Sequence, residues 1–202
     1  MFFTAIHTKK SRDLSGDVVS GQTLWSAFKE GDEEAYARIY EDHFDALYDY
    51  CEKITRKSDL IEDCIHDLFT SLWKNKENLV VPQSIRAYLL SAIRRIIFRK
   101  IKKERKYTHL TNFCFFEEAL FESSREDKII NKQIKAYNHQ SLIKALKQLT
   151  NRQKEAIHLR FYHNLDYADV ASVMNITLEA VYNHISKGIG KLKETLKHLA
   201  IP

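Results

Sequence analysis

The sequence predicts an all-α protein of two small helical domains joined by a linker. Glycine and proline are scarce, with five and two among 202 residues, whereas β-sandwiches and barrels need many turn-forming residues. Apolar residues recur at steps of three and four in two separate blocks, which is the period of a buried helix face. Hydrophobic residues make up 44% of the chain and charged residues 29%, a balance typical of folded rather than disordered proteins.

The first helical block predicts a domain over residues 22–106, preceded by an N-terminal tail over residues 1–21. Ser58 and Asp59, followed by Glu62, have the pattern of a helix start. The segment from Asn75 to Gln83 contains Pro82 and interrupts the period, so we expect a loop there between two long helices. The apolar positions that define this block are Phe44, Leu47, Cys51, Ile54, Ile61, Ile65, Leu68, Leu72, Ile85, Leu89, Ile93 and Ile96.

A linker over residues 107–126 and a second helical domain over residues 127–202 follow. The linker loses the helical period and carries an aromatic cluster of Phe113, Phe115 and Phe116. Thr150 with Gln153 forms a capping box, which predicts that a helix starts there. The apolar positions of the second block are Leu142, Ala145, Leu146, Leu149, Val181, Ile185, Ile189, Leu192, Leu196 and Leu199.

Charge is distributed unevenly within the first domain. The formal net charge of the whole chain is only +5. Residues 28–67 contain thirteen acidic and five basic side chains, whereas residues 94–106 contain eight basic side chains and one acidic one. A basic run this dense exceeds what a helix dipole attracts, so it favours binding to nucleic acid phosphates over a merely solvated face.

Residues 166–185 have the sequence pattern of a helix-turn-helix. Asn175 tolerates the left-handed conformation that the tight turn requires, and Thr177 can cap the helix that follows. Val181 and Ile185 would then face the first helix, and the outward side chains would suit a DNA major groove. Those outward residues are Glu179, Ala180, Tyr182, Asn183, Ser186 and Lys187, with Lys191 beyond them.

The sequence offers no catalytic constellation. It has no nucleophile with a neighbouring base, no glycine-rich phosphate loop and no paired catalytic carboxylates, so we expect no enzyme activity, no small-molecule substrate and no cofactor. The three cysteines lack metal-ligand spacing, and we expect no metal site. His158 and His163 are expected at the surface. The N-terminal apolar run is too short for a signal peptide, and a cytoplasmic protein is expected.

These segments resemble the sigma factors of bacterial RNA polymerase, specifically the extracytoplasmic-function group. The stretch from Gly31 to Cys51 is similar to the opening of region 2, and that from Ile61 to Trp73 is similar to its signature helix. The stretch from Leu149 to Leu192 is similar to region 4. The sequence departs from the family where an Arg-Asn-x-x-x-Asp pattern is usual, because Arg95 and Arg99 stand in place of Asn and Asp.

The resemblance implies roles for each region. In region 2 it implies docking on core RNA polymerase through Asp63, His66, Asp67, Phe69 and Trp73, although Trp73 also suits a structural position. It implies that the promoter −10 element meets the loop after that helix and the helix that follows. The residues expected there are Asn78, Gln83, Ser84, Arg86, Tyr88, Arg94, Arg95, Arg99, Lys100, Lys102 and Lys103.

In region 4 the resemblance implies that the second helix of the helix-turn-helix reads the −35 element. It adds Thr177 to the outward residues named above. His184 is equally consistent with contacting DNA bases and with a structural role. Implied partners are core polymerase, promoter DNA and an anti-sigma factor, which the family often anchors to the membrane. Two other classes remain open: a stand-alone helix-turn-helix regulator, which would usually dimerise, and a helical scaffold that binds acidic partners.

Overall fold

The computed structural model describes residues 21–107 and 145–197, with side chains described to residue 104 in the first segment. Every regular element in these two ranges is helical, as the sequence predicts. None of the described helices is both long enough and apolar enough to cross a membrane. The α-helices are α1 (Gly21–Glu30), α2 (Glu33–Glu52), α3 (Ser58–Lys74), α4 (Ile85–Tyr107), α5 (Asn151–Ile157), α6 (Tyr167–Met174) and α7 (Leu178–Leu196).

Helices α1 to α4 enclose the core of the first domain. Trp25, Phe28 and Tyr50 are almost completely buried, and the edge of the Trp25 ring meets Phe28 with centroids 5.3 Å apart. Burying an apolar side chain of this size stabilises the fold by about 1.5–3 kcal/mol. The predicted apolar stripe of α3 is confirmed, because its members are all buried: Ile61, Ile65, Leu68 and Leu72.

Local chemistry sets the helix boundaries of this domain. Gly31 has φ 99°, a left-handed value that lets the chain turn between α1 and α2. Asp32 then caps α2, and its carboxylate accepts from the backbone N–H of Glu34 and Ala35. Helix α3 begins at Ser58 as predicted, although its N-cap residue is Lys57, whose side chain makes no capping hydrogen bond. A loop with a short 3₁₀ turn, Lys76–Asn78, connects α3 to α4.

Three side-chain caps and a left-handed turn at Asn175 set the helix boundaries of the second domain. The predicted capping box of Thr150 and Gln153 is present in both directions at the start of α5. Asp166 caps α6 and Thr177 caps α7. Asn175 has φ 53° and ψ 54°, so the left-handed turn predicted between the two helices is confirmed. Val181 and Ile185 are buried beneath α6 as predicted.

A π-helical turn, His158–Tyr162, continues α5. The backbone N–H of His163 donates to the carbonyl of His158 at 3.2 Å, which is the i to i+5 bond of a π-helix. The expectation that His158 and His163 lie at the surface is wrong, because they are 5% and 1% exposed. They are buried because the turn faces the first domain rather than solvent.

The two domains pack against each other through α4 and α6, with α5 and the π-helical turn lying against α2 and α4. Nothing tests the predicted domain boundaries, although α1 begins one residue before position 22. The predicted linker, its aromatic cluster, the N-terminal tail to residue 20, Leu142 and Leu199 lie outside the described residues.

Candidate nucleic-acid interface

Helix α3 presents an acidic face with a buried apolar back. Asp63, His66 and Asp67 are exposed on neighbouring turns. Phe69 is 1% exposed and packs its ring on Tyr40, with centroids 4.7 Å apart. Phe69 therefore cannot touch a partner directly in this conformation, and its role is to hold α3 on α2.

Trp73 lies at the edge of this face and is half-buried. Its ring packs on Tyr36 with centroids 4.9 Å apart, and the Lys76 ammonium stands 4.3 Å from the ring centroid. This is a cation–π contact, and it leaves part of the indole exposed to solvent. Trp73 thus serves the core and the surface together, which the sequence had left open.

The residues expected at the −10 element divide into exposed and partly buried groups. Ser84 accepts from the backbone N–H of Ala87 at the start of α4, and Tyr88 packs on Trp25 with centroids 5.3 Å apart. The partly buried residues are Ser84, Arg86, Tyr88, Arg94 and Lys100. The exposed residues are Asn78, Gln83, Arg95, Arg99, Lys102 and Lys103.

The acidic face of α3 and the basic end of α4 touch at one pair of charges. Lys100 Nζ lies 2.7 Å from an Asp67 carboxylate oxygen. Burial lowers the pKa of Lys100, but the hydrogen bond and charge of Asp67 outweigh that effect and the net pKa is raised. The two oppositely charged surfaces predicted from the sequence are therefore neighbours across the α3–α4 contact.

Helix α7 places most of its predicted reading residues on an exposed face. Its N-terminus is capped by Thr177, and Val181, Ile185 and Gly188 form its buried side. The Tyr182 ring is 51% exposed and stacks on Tyr167 of α6 with centroids 4.3 Å apart. Ala180 is half-buried, and the exposed residues are Thr177, Glu179, Tyr182, Asn183, Ser186, Lys187 and Lys191.

A buried ion pair joins the two domains. Arg94 Nε lies 2.7 Å from a Glu155 carboxylate oxygen, and the Tyr50 hydroxyl donates to the same oxygen at 2.9 Å. Burial and the Glu155 charge raise the pKa of Tyr50 well above its ordinary value, so its hydroxyl stays protonated as a donor. Arg94, expected at DNA, is therefore engaged by the second domain in this arrangement.

A second polar cluster at the domain contact was missed by the sequence analysis. Asp49 of α2 meets His158 and His163 of the π-helical turn, with Asp49 Oδ2 3.2 Å from His158 Nε2. Burial, and then the proximity of His158, lower the pKa of His163 to about 3, so that ring is neutral near pH 7. Asp49 is more than a hundred positions away in the chain, and no local spacing joins it to the histidines.

Together these surfaces can bind an acidic polymer and a basic partner, but two of the basic residues of α4, Arg86 and Arg94, lie beside the second domain. The Ser84 hydroxyl lies close enough to the Asp169 carboxylate of α6 to lower its pKa, and Arg86 lies close enough to His163 to lower the pKa of that imidazole. The start of α4 is thus partly covered by the helix-turn-helix. The reading face of α7 remains exposed.

Two family models match the chain. Sigma-70 region 2 matches residues 39–107, and Sigma-70, region 4 matches residues 139–192. The chain is similar to the ECF RNA polymerase sigma factor SigW of Bacillus subtilis, at 20% identity over 85% of this chain and 94% of SigW. It is also similar to the ECF RNA polymerase sigma factor SigK of Mycolicibacterium vanbaalenii, at 23% identity over 82% of this chain and 83% of SigK.

Two solved structures share the fold. One is CnrH in complex with the cytosolic domain of CnrY, with a TM-score of 0.58, 17% identity, and coverage of 88% of this chain and 97% of CnrH. The other is the sigma factor RpoE in complex with the anti-sigma factor NepR from Bartonella quintana. It has a TM-score of 0.59, 20% identity, and coverage of 80% of this chain and 96% of RpoE.

Proposed function

This chain is an RNA polymerase sigma factor of the sigma-70 family, in its extracytoplasmic-function group, and from that membership we propose which of its surfaces performs each step of initiation. The observation that carries the assignment is the pair of matches, with region 2 followed by region 4 in one chain. The chemistry of initiation would belong to the polymerase, and this protein would act beside it in the cytoplasm.

The acidic face of α3 is the proposed docking surface for core polymerase. Asp63, His66 and Asp67 are exposed there, and Trp73 offers part of its indole at one end. A half-exposed aromatic ring beside charged groups is well suited to anchor a protein interface. Phe69 supports this surface from the core.

The loop after α3 and the exposed face of α4 are proposed to engage the −10 element. Asn78 and Gln83 are exposed amides that can hydrogen-bond the edge of an unstacked base. Arg95, Arg99 and Lys102 supply positive charge along the path of the strand. Taking a base out of the stack costs a few kcal/mol, so such contacts both stabilise opening and read sequence.

Helix α7 is the proposed reader of the −35 element. Its exposed face combines amide, hydroxyl and ammonium side chains on one side of a capped helix, which suits major-groove entry. Asn183 and Ser186 are placed to read base edges, and Lys187 and Lys191 to contact phosphates.

Binding both elements requires the two domains to separate. The two elements are separate stretches of the duplex, whereas packing of α6 on α4 covers part of the proposed −10 surface. In the described arrangement Arg94 and Glu155 of the two domains are 2.7 Å apart. We therefore interpret this arrangement as a closed form, which opens when polymerase and promoter are bound.

An anti-sigma factor is the proposed regulator. RpoE was solved with the anti-sigma factor NepR, and CnrH with the cytosolic domain of CnrY. By analogy, a partner of this kind would bind the same surfaces of this chain and prevent polymerase and DNA from reaching them. This chain's basic α4 and acidic α3 give such a partner two charge patterns to complement.

Assembly with core polymerase tests the docking surface. Asp63→Arg reverses a charge on the proposed surface, and Asp45→Arg makes the same change at an exposed position of α2. We expect Asp63→Arg to weaken binding to core polymerase by at least about tenfold, which corresponds to 1.4 kcal/mol, in a fluorescence anisotropy titration. Asp45→Arg should bind as the unmodified protein does. Equal binding by both variants, with normal helical content, would contradict the assignment.

A further inference from the structure

Three side-chain atoms from the two domains converge at the domain contact. Asp49 Oδ2 lies 3.2 Å from His158 Nε2 and 3.8 Å from His163 Nε2, and the two imidazole nitrogens are 3.1 Å apart. Each residue thus places one potential ligand atom within 4.8 Å of the other two. The triangle closes only when the first domain, which carries Asp49, lies against the second.

The size of this triangle matches a tetrahedral metal site. Zn²⁺ binds histidine nitrogen and carboxylate oxygen at about 2.0–2.2 Å, so two ligand atoms of a tetrahedral site lie about 3.3–3.5 Å apart. The three measured separations bracket that value. We propose that Asp49, His158 and His163 bind a zinc ion between the two domains, with water in the fourth position.

The cluster is built to hold its donors in place. In an α-helix, residues five apart point in different directions, but the π-helical turn brings His158 and His163 to the same side. The His158 ring stacks on Tyr162 with centroids 4.8 Å apart and planes 13° from parallel, which fixes the ring. Side chains held this way lose little freedom when a metal binds.

Two atoms of this cluster lack a hydrogen-bond partner among the described residues. Asp49 Oδ2 and His163 Nδ1 are buried and have no hydrogen-bond partner of acceptable geometry. Buried polar atoms are normally paired, and each exception calls for an explanation such as an ion. A zinc ion would satisfy Asp49 Oδ2 directly and would replace the hydrogen bond between the two Nε2 atoms, while His163 Nδ1 would carry the ring proton and stay outside the coordination.

The donor atoms and the neighbouring cations together favour zinc over a hard metal ion. Lys53 Nζ lies 3.3 Å from Asp49 Oδ1, and Arg86 is close enough to affect the pKa of His163. These cations oppose any metal, and a single carboxylate does not compensate for them in a hard ion such as Mg²⁺ or Ca²⁺, which prefers oxygen ligands. Two imidazoles favour zinc, which binds nitrogen strongly.

A metal bound here would favour the closed form. Because Asp49 and the histidines belong to different domains, the full ligand set exists only while the domains are packed together. A ligand that binds one of two states shifts the population toward that state. If the protein acts as proposed, zinc would therefore lower promoter activity. This consequence rests on the proposed function, whereas the metal site itself does not.

Direct metal binding tests the site. Tag-free, metal-stripped full-length protein is titrated with Zn²⁺ by calorimetry, in parallel with Mg²⁺, and Co²⁺ is used as a visible-absorption probe of tetrahedral nitrogen and oxygen coordination. We expect zinc to bind at one site per chain, Co²⁺ to give a tetrahedral spectrum, and Mg²⁺ to show no comparable binding.

Variants show which residues bind the metal. Asp49→Asn keeps the size of the side chain, and His158→Ala with His163→Ala removes both imidazoles. His66→Ala removes an exposed histidine of α3 as the control. We expect zinc affinity to fall by at least about tenfold in Asp49→Asn, and further in the double variant, while His66→Ala binds normally.

Two results would overturn the proposal. One is the absence of zinc binding in the unmodified protein. The other is zinc binding of unchanged affinity in Asp49→Asn and in the double variant, with helical content retained, because the metal would then sit on other histidines. Neither result depends on polymerase or DNA, so failure of the site and failure of the sigma assignment are distinguishable.

Discussion

Glu155 joins the two domains through a buried ion pair and a hydrogen bond. Its side chain is 3% exposed, and its carboxylate pairs with Arg94 at 2.7 Å and accepts from the Tyr50 hydroxyl at 2.9 Å. Burying such a pair costs desolvation that the mutual attraction only repays with good geometry. The pair therefore contributes mainly by specifying how the domains meet.

Removing the charge of Glu155 should favour the open form. Glu155→Gln leaves the mostly buried Arg94 guanidinium without its anion, and we expect the closed form to lose about 3 kcal/mol relative to the open one. Tyr50→Phe removes one hydrogen bond and should cost only about 1 kcal/mol. Small-angle scattering would register a larger radius of gyration for Glu155→Gln. Equal compactness of both variants would show that the pair does not hold the domains.

Asn175 carries the turn between α6 and α7. Its φ of 53° is tolerated by Asn and Gly but strains a β-branched residue by about 1–2 kcal/mol. We expect Asn175→Val to lower the free energy of unfolding of the second domain by that amount, and Asn175→Gly to change it little. Urea denaturation followed by circular dichroism measures both. A neutral Asn175→Val would rule out the left-handed turn.

The helix caps show what the sequence could establish. Thr150, Gln153, Asn175 and Thr177 act on their own neighbours, so their roles follow from spacing of three residues or fewer. The π-helical turn has no such local signal, and the burial of its histidines depends on Asp49 in the other domain. Which candidate residues on α4 are covered also depends on domain packing and could not be read from the chain.

Two glycines of α7 provide a matched test of helix packing. A Cβ at Gly188 would lie 2.7 Å from Ile157 Cδ1, whereas a Cβ at Gly190 would meet nothing within 4 Å. Gly190→Ala should stabilise the helix by up to about 1 kcal/mol through helix propensity. Gly188→Ala requires the flexible end of the half-buried Ile157 side chain to shift, and we expect it to be less stable than Gly190→Ala by up to about 1 kcal/mol.

Thermal unfolding of the two glycine variants measures which of them is the more stable. If Gly188→Ala is as stable as Gly190→Ala, α7 does not pack on α5 as closely as the structure describes.

Different residues of α7 should determine sequence specificity and overall affinity for DNA. On the proposed −35 face, Asn183→Ala should reduce discrimination among promoter sequences by about 1–3 kcal/mol. Lys187→Ala should weaken binding to all sequences alike and reduce the salt dependence by about one counterion. Holoenzyme titrations of matched and mutated −35 duplexes at several salt concentrations measure both. Identical effects of the two variants would contradict the division between base readers and phosphate contacts.

Acidic and basic side chains are segregated on the molecule more strongly than the net charge of +5 indicates. The acidic face of α3 and the basic end of α4 lie on adjacent helices and touch through Asp67 and Lys100, 2.7 Å apart. The helix-turn-helix covers part of the start of α4 but leaves the reading face of α7 exposed. The sequence predicted both charged surfaces, but only the structure shows that the second domain covers part of the basic one, at Arg94, and leaves the acidic face of α3 exposed.

Promoter-specific initiation is the most direct test of the account. Sigma-free core polymerase is combined with this protein, nucleotides and fragments of its own genome, and the 5′ ends of the transcripts are mapped. We predict discrete start sites that require the protein, share −10 and −35 sequences, and are lost with Asp63→Arg. Transcripts that begin at random positions, or at the same positions without the protein, would contradict its role as a promoter-specificity subunit.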